Sequence, residues 1–309
     1  MLVAFGSVAT IFIMIAIGYI LARKGILNEE TNKLFSKIFI NISLPLSIIV
    51  NLPDRFTLEE LIGSSAGILA VFISILVTYF VSYIIARIIK IEGKERGLFS
   101  VVFSFGNILF IGLPVSTSIY GQEATGYVLL YYIANTTLFW TIGIYNIRKY
   151  SENKEDMNIL KNIKKVFSPP LIGFLIGVVL IALKINLPYF VKDAFQYVGN
   201  LATPMSMLFI GTVIYKINFK EIKSDLMTTM ALLGKFLITP LVVMIVLSFF
   251  ELPSTLNKVF ILQGAGPIIS QFALVAERYD VDSKYAAFMV GLSTILYMFV
   301  VPIYVFFIG

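Results

Sequence analysis

Charged residues punctuate the chain at intervals, leaving long apolar stretches over 1–22, 38–53, 61–86, 97–122, 124–147, 166–183, 194–215, 226–250, 259–276 and 285–309. Most of these reach the ~20 residues a helix needs to cross a hydrocarbon core of about 30 Å. The stretch 38–53 is short, and it extends backward through Lys33–Lys37, whose lysines can snorkel toward the interface. A buried helix of a soluble protein would explain any single stretch, but not ten in one chain. The pattern predicts an all-α integral membrane protein with ten transmembrane helices.

The basic residues set an orientation. Arg23 and Lys24 follow the first stretch, and Arg87, Lys90, Lys94 and Arg96 follow the third. The cluster from Arg148 to Lys165 follows the fifth, Lys216, Lys220 and Lys223 the seventh, and Arg278 and Lys284 the ninth. The other connections hold only Arg55, Lys184, Lys192 and Lys258. The positive-inside rule then makes the odd connections cytoplasmic and puts both termini outside a cell membrane. The first stretch, with its basic pair behind it, reads as an anchor whose N-terminus is outside, and not as a cleaved signal peptide.

The chain also repeats itself. Asn41-Ile-Ser-Leu-Pro45 recurs 159 residues later as Asn200-Leu-Ala-Thr-Pro204, and Gly18 and Gly177 share that offset. Gly112-Leu-Pro114 in the fourth stretch is matched by Gly264-Ala-Gly266-Pro267 in the ninth, and Thr137-Leu-Phe-Trp in the fifth by Thr294-Ile-Leu-Tyr in the tenth. The shared order, half a chain apart, predicts repeats over 1–150 and 166–309 joined by a cytoplasmic linker, 151–165. Five spans per repeat is an odd number, so the second copy starts on the opposite side of the membrane. That is the inverted-repeat design of many secondary transporters.

The glycine-proline interruptions are the candidate chemistry. Proline deletes a helical hydrogen bond and suits the first position of a new helix. Pro114 and Pro267 are therefore expected to open second half-helices in broken helices 4 and 9, near mid-membrane. Two antiparallel half-helix N-termini, each with bare N–H groups and about half a positive charge, would form an anion site there. The alternative is an ordinary kink, as at Pro240 and Pro302. Candidate substrate-binding residues are Asn107, Gly112, Pro114, Val115 and Ser116 around the first break, and Gly266, Pro267, Ile268, Ser270 and Gln271 around the second. Thr117 and Gln263 lie close by. Asn41 and Asn200 sit at matched positions, where an amide serves equally as interhelical glue or as ligand contact. Lys235 lies roughly 14 Å into the eighth stretch at 1.5 Å per residue, and is read as support for a crossover or as a substrate contact.

Composition narrows the chemistry further. The mean hydropathy is +0.91, and only 14% of residues are charged, against about a quarter in soluble proteins. The net charge of +6 follows the membrane topology above, so no nucleic acid is expected. There is no Cys and no His, which removes disulfides, thiolate sites, the commonest metal ligand and the usual neutral-pH base. No cofactor and no metal is expected. No Asp or Glu lies well inside a span, so the site is expected to be net positive and to favour anions over cations. The coupling ion is left open among none, sodium and a proton carried on the substrate.

The motifs Asn41-x-x-x-Pro45, Phe105-Gly-Asn-Ile-Leu-Phe-Ile-Gly-Leu-Pro114 with Tyr120-Gly121, and Gly266-Pro267 leading to Ala276-Glu-Arg-Tyr279 resemble the auxin efflux carrier family. Its plant members export auxin, and its bacterial members include proteins assigned as malate and malonate permeases. The resemblance covers nearly the whole chain. It implies a scaffold of helices 1, 2, 6 and 7, a transport domain of helices 3–5 and 8–10, and crossed helices 4 and 9 that bind a carboxylate anion. It also implies elevator-type alternating access and a homodimer. The long hydrophilic loop of plant members is missing here. Two other readings stand beside it: a sodium-coupled symporter similar to bile-acid carriers, and, from a different class, a membrane-embedded enzyme or sensor.

Overall fold

In the computed structural model the described residues are 2–149, 167–215, 225–279 and 281–308. The expected linker 151–165 and the lysines Lys216, Lys220 and Lys223 fall outside them. The described chain is helical throughout, without a β-strand, and its one isolated bridge pairs Gly106 with Ile268.

Among the described residues six helices are long and apolar enough to cross a bilayer: Glu30–Arg55, Leu58–Ile88, Ala124–Lys149, Tyr189–Tyr215, Leu226–Leu247 and Ser283–Ile308. Ala9–Arg23, Ile108–Tyr120 and Pro169–Ala182 are shorter apolar helices. Stretches 97–122 and 259–276 fall short of spanning length because each is split in two: Gly93–Ser104 and Ile108–Tyr120, then Ser254–Gly264 and Gln271–Arg278. The extension of the second stretch through Lys33–Lys37 is present. Asn28 and Thr31 cap each other reciprocally at the start of that helix.

Large apolar side chains cover the outside. Phe249 and Phe307 are 80% and 77% exposed, and Phe80, Ile88, Leu183 and Phe299 are exposed with them. A surface of this kind is stable only against lipid or another apolar partner. The interior carries a continuous aromatic and aliphatic core, with Phe99, Phe103, Phe105, Phe139, Phe260 and Phe272 fully buried.

Three prolines inside these helices are accommodated by widening. The π-helical turns Phe39–Ser43, Ile108–Gly112 and Gly234–Ile238 stand one residue ahead of Pro45, Pro114 and Pro240. A π turn moves the carbonyl that a proline ring would otherwise strike, so the helix continues without a break.

Two helix pairs make the closest approaches. Leu2–Arg23 packs against Ala202–Tyr215, and Leu44–Arg55 against Pro169–Ala182. In the first pair Gly18 and Gly211 face each other, and a Cβ on either would overlap the partner backbone. In the second, a Cβ on Gly177 would come within 2.9 Å of Leu52. Small residues let backbones approach in lipid, where van der Waals packing replaces the hydrophobic drive between helices.

Candidate substrate site at the helix crossing

The site grows from two places where a helix stops inside the protein. Gly93–Ser104 ends at Phe105, whose ψ of 132° is extended. The chain passes through Gly106 and Asn107 and turns helical again at Ile108. Ser254–Gly264 ends at Ala265, and helix resumes only at Gln271. The two extended pieces cross antiparallel. The Asn107 N–H donates to the Pro267 carbonyl at 2.7 Å, and the Ile269 N–H donates to the Phe105 carbonyl at 3.3 Å.

This corrects the expected role of both prolines. Pro114 does not open the half-helix. It lies six residues inside Ile108–Tyr120, behind the π turn. Pro267 lies within the extended segment, four residues before Gln271. There the crossing uses its carbonyl and no donor at its nitrogen, which a proline can supply without loss.

Backbone groups freed by a break must find partners in a low-dielectric interior, and side chains from neighbouring helices supply them. The Asn135 amide grips Gly106 on both sides: its oxygen accepts the Gly106 N–H at 3.1 Å and its nitrogen donates to the Gly106 carbonyl at 3.1 Å. Ser293 Oγ accepts the Ile268 N–H at 3.1 Å. Thr239 Oγ1 donates to the Phe103 carbonyl at 2.8 Å. The half-helix Ile108–Tyr120 has no side-chain cap at Asn107, so the N–H groups of its first turn remain available.

Those first-turn residues line a cavity with about 680 Å³ of empty space, open on one side. Asn107, Tyr132, Asn135, Thr136, Trp140, Ser168 and Gln271 add polar edges to it, and Ile40, Ile108, Leu109, Phe110 and Ile269 its apolar walls. The Tyr132 hydroxyl donates to Ser168 Oγ at 2.9 Å. Among the described residues no Asp, Glu, Lys or Arg lines it. A bound charge would therefore be answered by amide and hydroxyl dipoles and by the positive end of a helix.

Of the residues singled out in the sequence, Asn107 and Gln271 line this cavity, and Gly266, Pro267 and Ile268 belong to the crossing strand beside it. Ser270 is half-buried next to them. Gly112 and Ser116 meet Gln263 instead. The Gln263 amide nitrogen donates to Ser116 Oγ at 2.8 Å, and a Cβ on Gly112 would overlap the same amide. Val115 lines a small apolar pocket with Ile111 and Tyr297. Pro114 and Asn200 line a second cavity, discussed below. Asn41 is exposed and donates to the Lys37 carbonyl at 2.9 Å.

Lys235 is fully buried, and its Nζ makes no hydrogen bond. It lies beside the first break, 3.5 Å from where a Cβ on Gly106 would stand. Sequence reasoning missed Asn135, Ser293 and Thr239. A signal was present, since each is a polar residue inside an apolar stretch, but nothing in the sequence said which break it would meet.

A multi-pass helical protein with two interrupted helices crossing in its interior, and a polar cavity at their ends, belongs to the class of membrane transporters. Residues 3–305 match the family described as Membrane transport protein. The chain is thus a member of that family, the auxin efflux carrier-like family. It is similar to an uncharacterized transporter of Methanothermobacter thermautotrophicus, 26% identical over 96% of both chains. It is also similar to one of Methanocaldococcus jannaschii, 20% identical over 96% of both.

Proposed function

We propose that the chain is a secondary transporter that moves small organic anions, carboxylates foremost, with the substrate held at the crossing of Gly106 and Ile268. The observation that carries this reading is the uncapped first turn of Ile108–Tyr120 opening into a cavity that no charged side chain lines among the described residues. Bare N–H groups and the helix dipole favour a carboxylate there. A cation would need acidic side chains or a cage of inward carbonyls, and the carbonyls of Phe105, Gly106 and Pro267 are already bonded. The Lys235 amine, buried beside Gly106, would add positive potential to the crossing when protonated.

The architecture proposed with it has ten crossings in two inverted repeats, and two sets of contacts support it. Shifting the Gly18–Gly211 approach by 159 residues gives Gly177–Leu52, a close contact within the second of the two helix pairs. The crossing itself pairs Gly106 with Ile268, 162 residues apart, close to the 159-residue offset of the matched motifs. On this reading helices 1, 2, 6 and 7 form a scaffold and helices 3–5 and 8–10 move as the transport unit. Both termini are outside the cell membrane, and two copies pair.

The test is uptake into proteoliposomes. Malate, malonate and indole-3-acetate are offered with and without sodium, alongside a thermal-shift screen of the detergent-purified protein. Saturable uptake of at least one carboxylate, and stabilisation by it, is expected. Stabilisation by cations or neutral solutes alone would refute the anion reading. Uptake that requires sodium would favour the sodium-coupled alternative.

A further inference from the structure

A second cavity lies further along the half-helix Ile108–Tyr120, against Leu113, Pro114 and Thr117. It too has about 680 Å³ of empty space, and Ser47, Thr117, Gln122, Thr125, Asn200 and Thr203 give it a polar lining. The two cavities are offset along the helix that begins at Ala124. Thr125 lines the second, while Tyr132 to Trp140 line the first, a separation of roughly 10–22 Å along the axis. The first cavity reaches Ser168, and the second reaches Gln122.

The partition between them is aromatic. The Phe39 and Phe110 rings stack with centroids 5.0 Å apart, and Phe110 meets Phe209 at 5.3 Å. Phe110 lines the first cavity and Phe39 the second, so one ring of the pair faces each. The neighbouring residue Ile40 lies on the first side. Phe110 and Pro114, which touch different cavities, are four residues apart, about 6 Å. The three rings come from three different helices.

We propose that Phe39, Phe110 and Phe209 form the gate of a single anion path, and that the second cavity is a second station for the same carboxylate. This rests on the transport reading above. An offset aromatic stack excludes ions and water while closed. Because Phe110 rides on the half-helix that bears the site, any shift of that half-helix against Phe39 and Phe209 would open or remake the stack. The hydroxyls and amides of Asn200, Thr203, Thr117 and Gln122 would then take over part of the hydration shell of the passing anion.

The chain has no Cys, so single cysteines report without background. Ser168→Cys in the first cavity and Thr203→Cys in the second are treated with a small membrane-impermeant anionic methanethiosulfonate. The reagent is applied to right-side-out and inside-out vesicles. Each cysteine is expected to react from one face only, and the two faces should be opposite. Phe110→Ala in either background is expected to raise the rate from the silent face at least tenfold. Phe209→Ala opens the same partition from another helix, and Phe110→Leu keeps an apolar filling while leaking several-fold. Reaction of both cysteines from the same face overturns the proposal. So does unchanged sidedness in all three variants at a parental melting temperature. Reactivity is read without substrate, so failed carboxylate uptake would sink the transport reading while leaving this result interpretable.

Discussion

The two breaks reach one crossing by different means. The first is short: Phe105, Gly106 and Asn107, clamped from both sides by the Asn135 amide. The second runs from Ala265 to Ser270, contains Pro267, and is held by Ser293 through a single N–H. One break thus relies on a side chain that imitates a neighbouring strand. The other relies on a residue that needs no partner at its nitrogen. What the two breaks share is the backbone pairing, not residue identity: Pro267 and Phe105 play the same part, each accepting one crossing bond through its carbonyl.

The largest expected effect falls on the clamp of the first break. Asn135→Leu keeps the bulk but strands the N–H and the carbonyl of Gly106, both buried. At about 1–3 kcal/mol for each stranded group, it should lower the melting temperature sharply and abolish transport per folded molecule. Ser293→Ala strands one N–H and should cost about half as much. Thermal unfolding in detergent, with and without carboxylate, reads both. Equal losses from the two variants would erase the difference between the breaks.

How much of this was legible beforehand follows from the same contrast. Helical class and the apolar stretches were readable because lipid imposes length and composition. The locations of the breaks were readable only to within a few residues. Glycine and proline mark where a helix is weak, but proline tolerates a π turn, as at Pro45, Pro114 and Pro240, and then the helix continues. The signal for the first break lay in Gly106-Asn107, with no proline at all. Matching Pro114 to Pro267 therefore paired the wrong positions, although it found the right helices. Asn135, Thr239 and Ser293 could not be assigned, because their partners lie between 25 and 136 residues away in the chain.

The prolines give the next contrast, of smaller size. Pro267→Ala adds a donor and loosens φ inside the crossing without touching either crossing bond. The added N–H is buried, and stranding it costs about 1–3 kcal/mol, no more than Ser293→Ala, while uptake falls several-fold. Pro114→Ala lets the π turn relax toward ordinary helix, away from the crossing, and should change uptake less than Pro267→Ala does. Side-by-side uptake at matched protein levels decides this, and a larger defect in Pro114→Ala would restore that residue to the site.

Lys235 supplies the smallest expected effect on stability and the sharpest asymmetry between the halves. It stands beside Gly106 alone. Under shifts of 159 to 162 residues it maps onto Ile73-Ser-Ile-Leu76, which carries no charge. A buried ammonium without a hydrogen bond is a cost to folding, so Lys235→Met, of similar length and apolar, should melt at the parental temperature or above it. If the ammonium serves the anion, that variant should nevertheless bind carboxylate several-fold more weakly, with its KM rising more than its maximal rate falls. Lys235→Glu should then lose carboxylate binding altogether. A Lys235→Met protein that melts lower yet transports with an unchanged KM would make the lysine a prop for the first break, and would leave the helix ends as the whole source of anion preference.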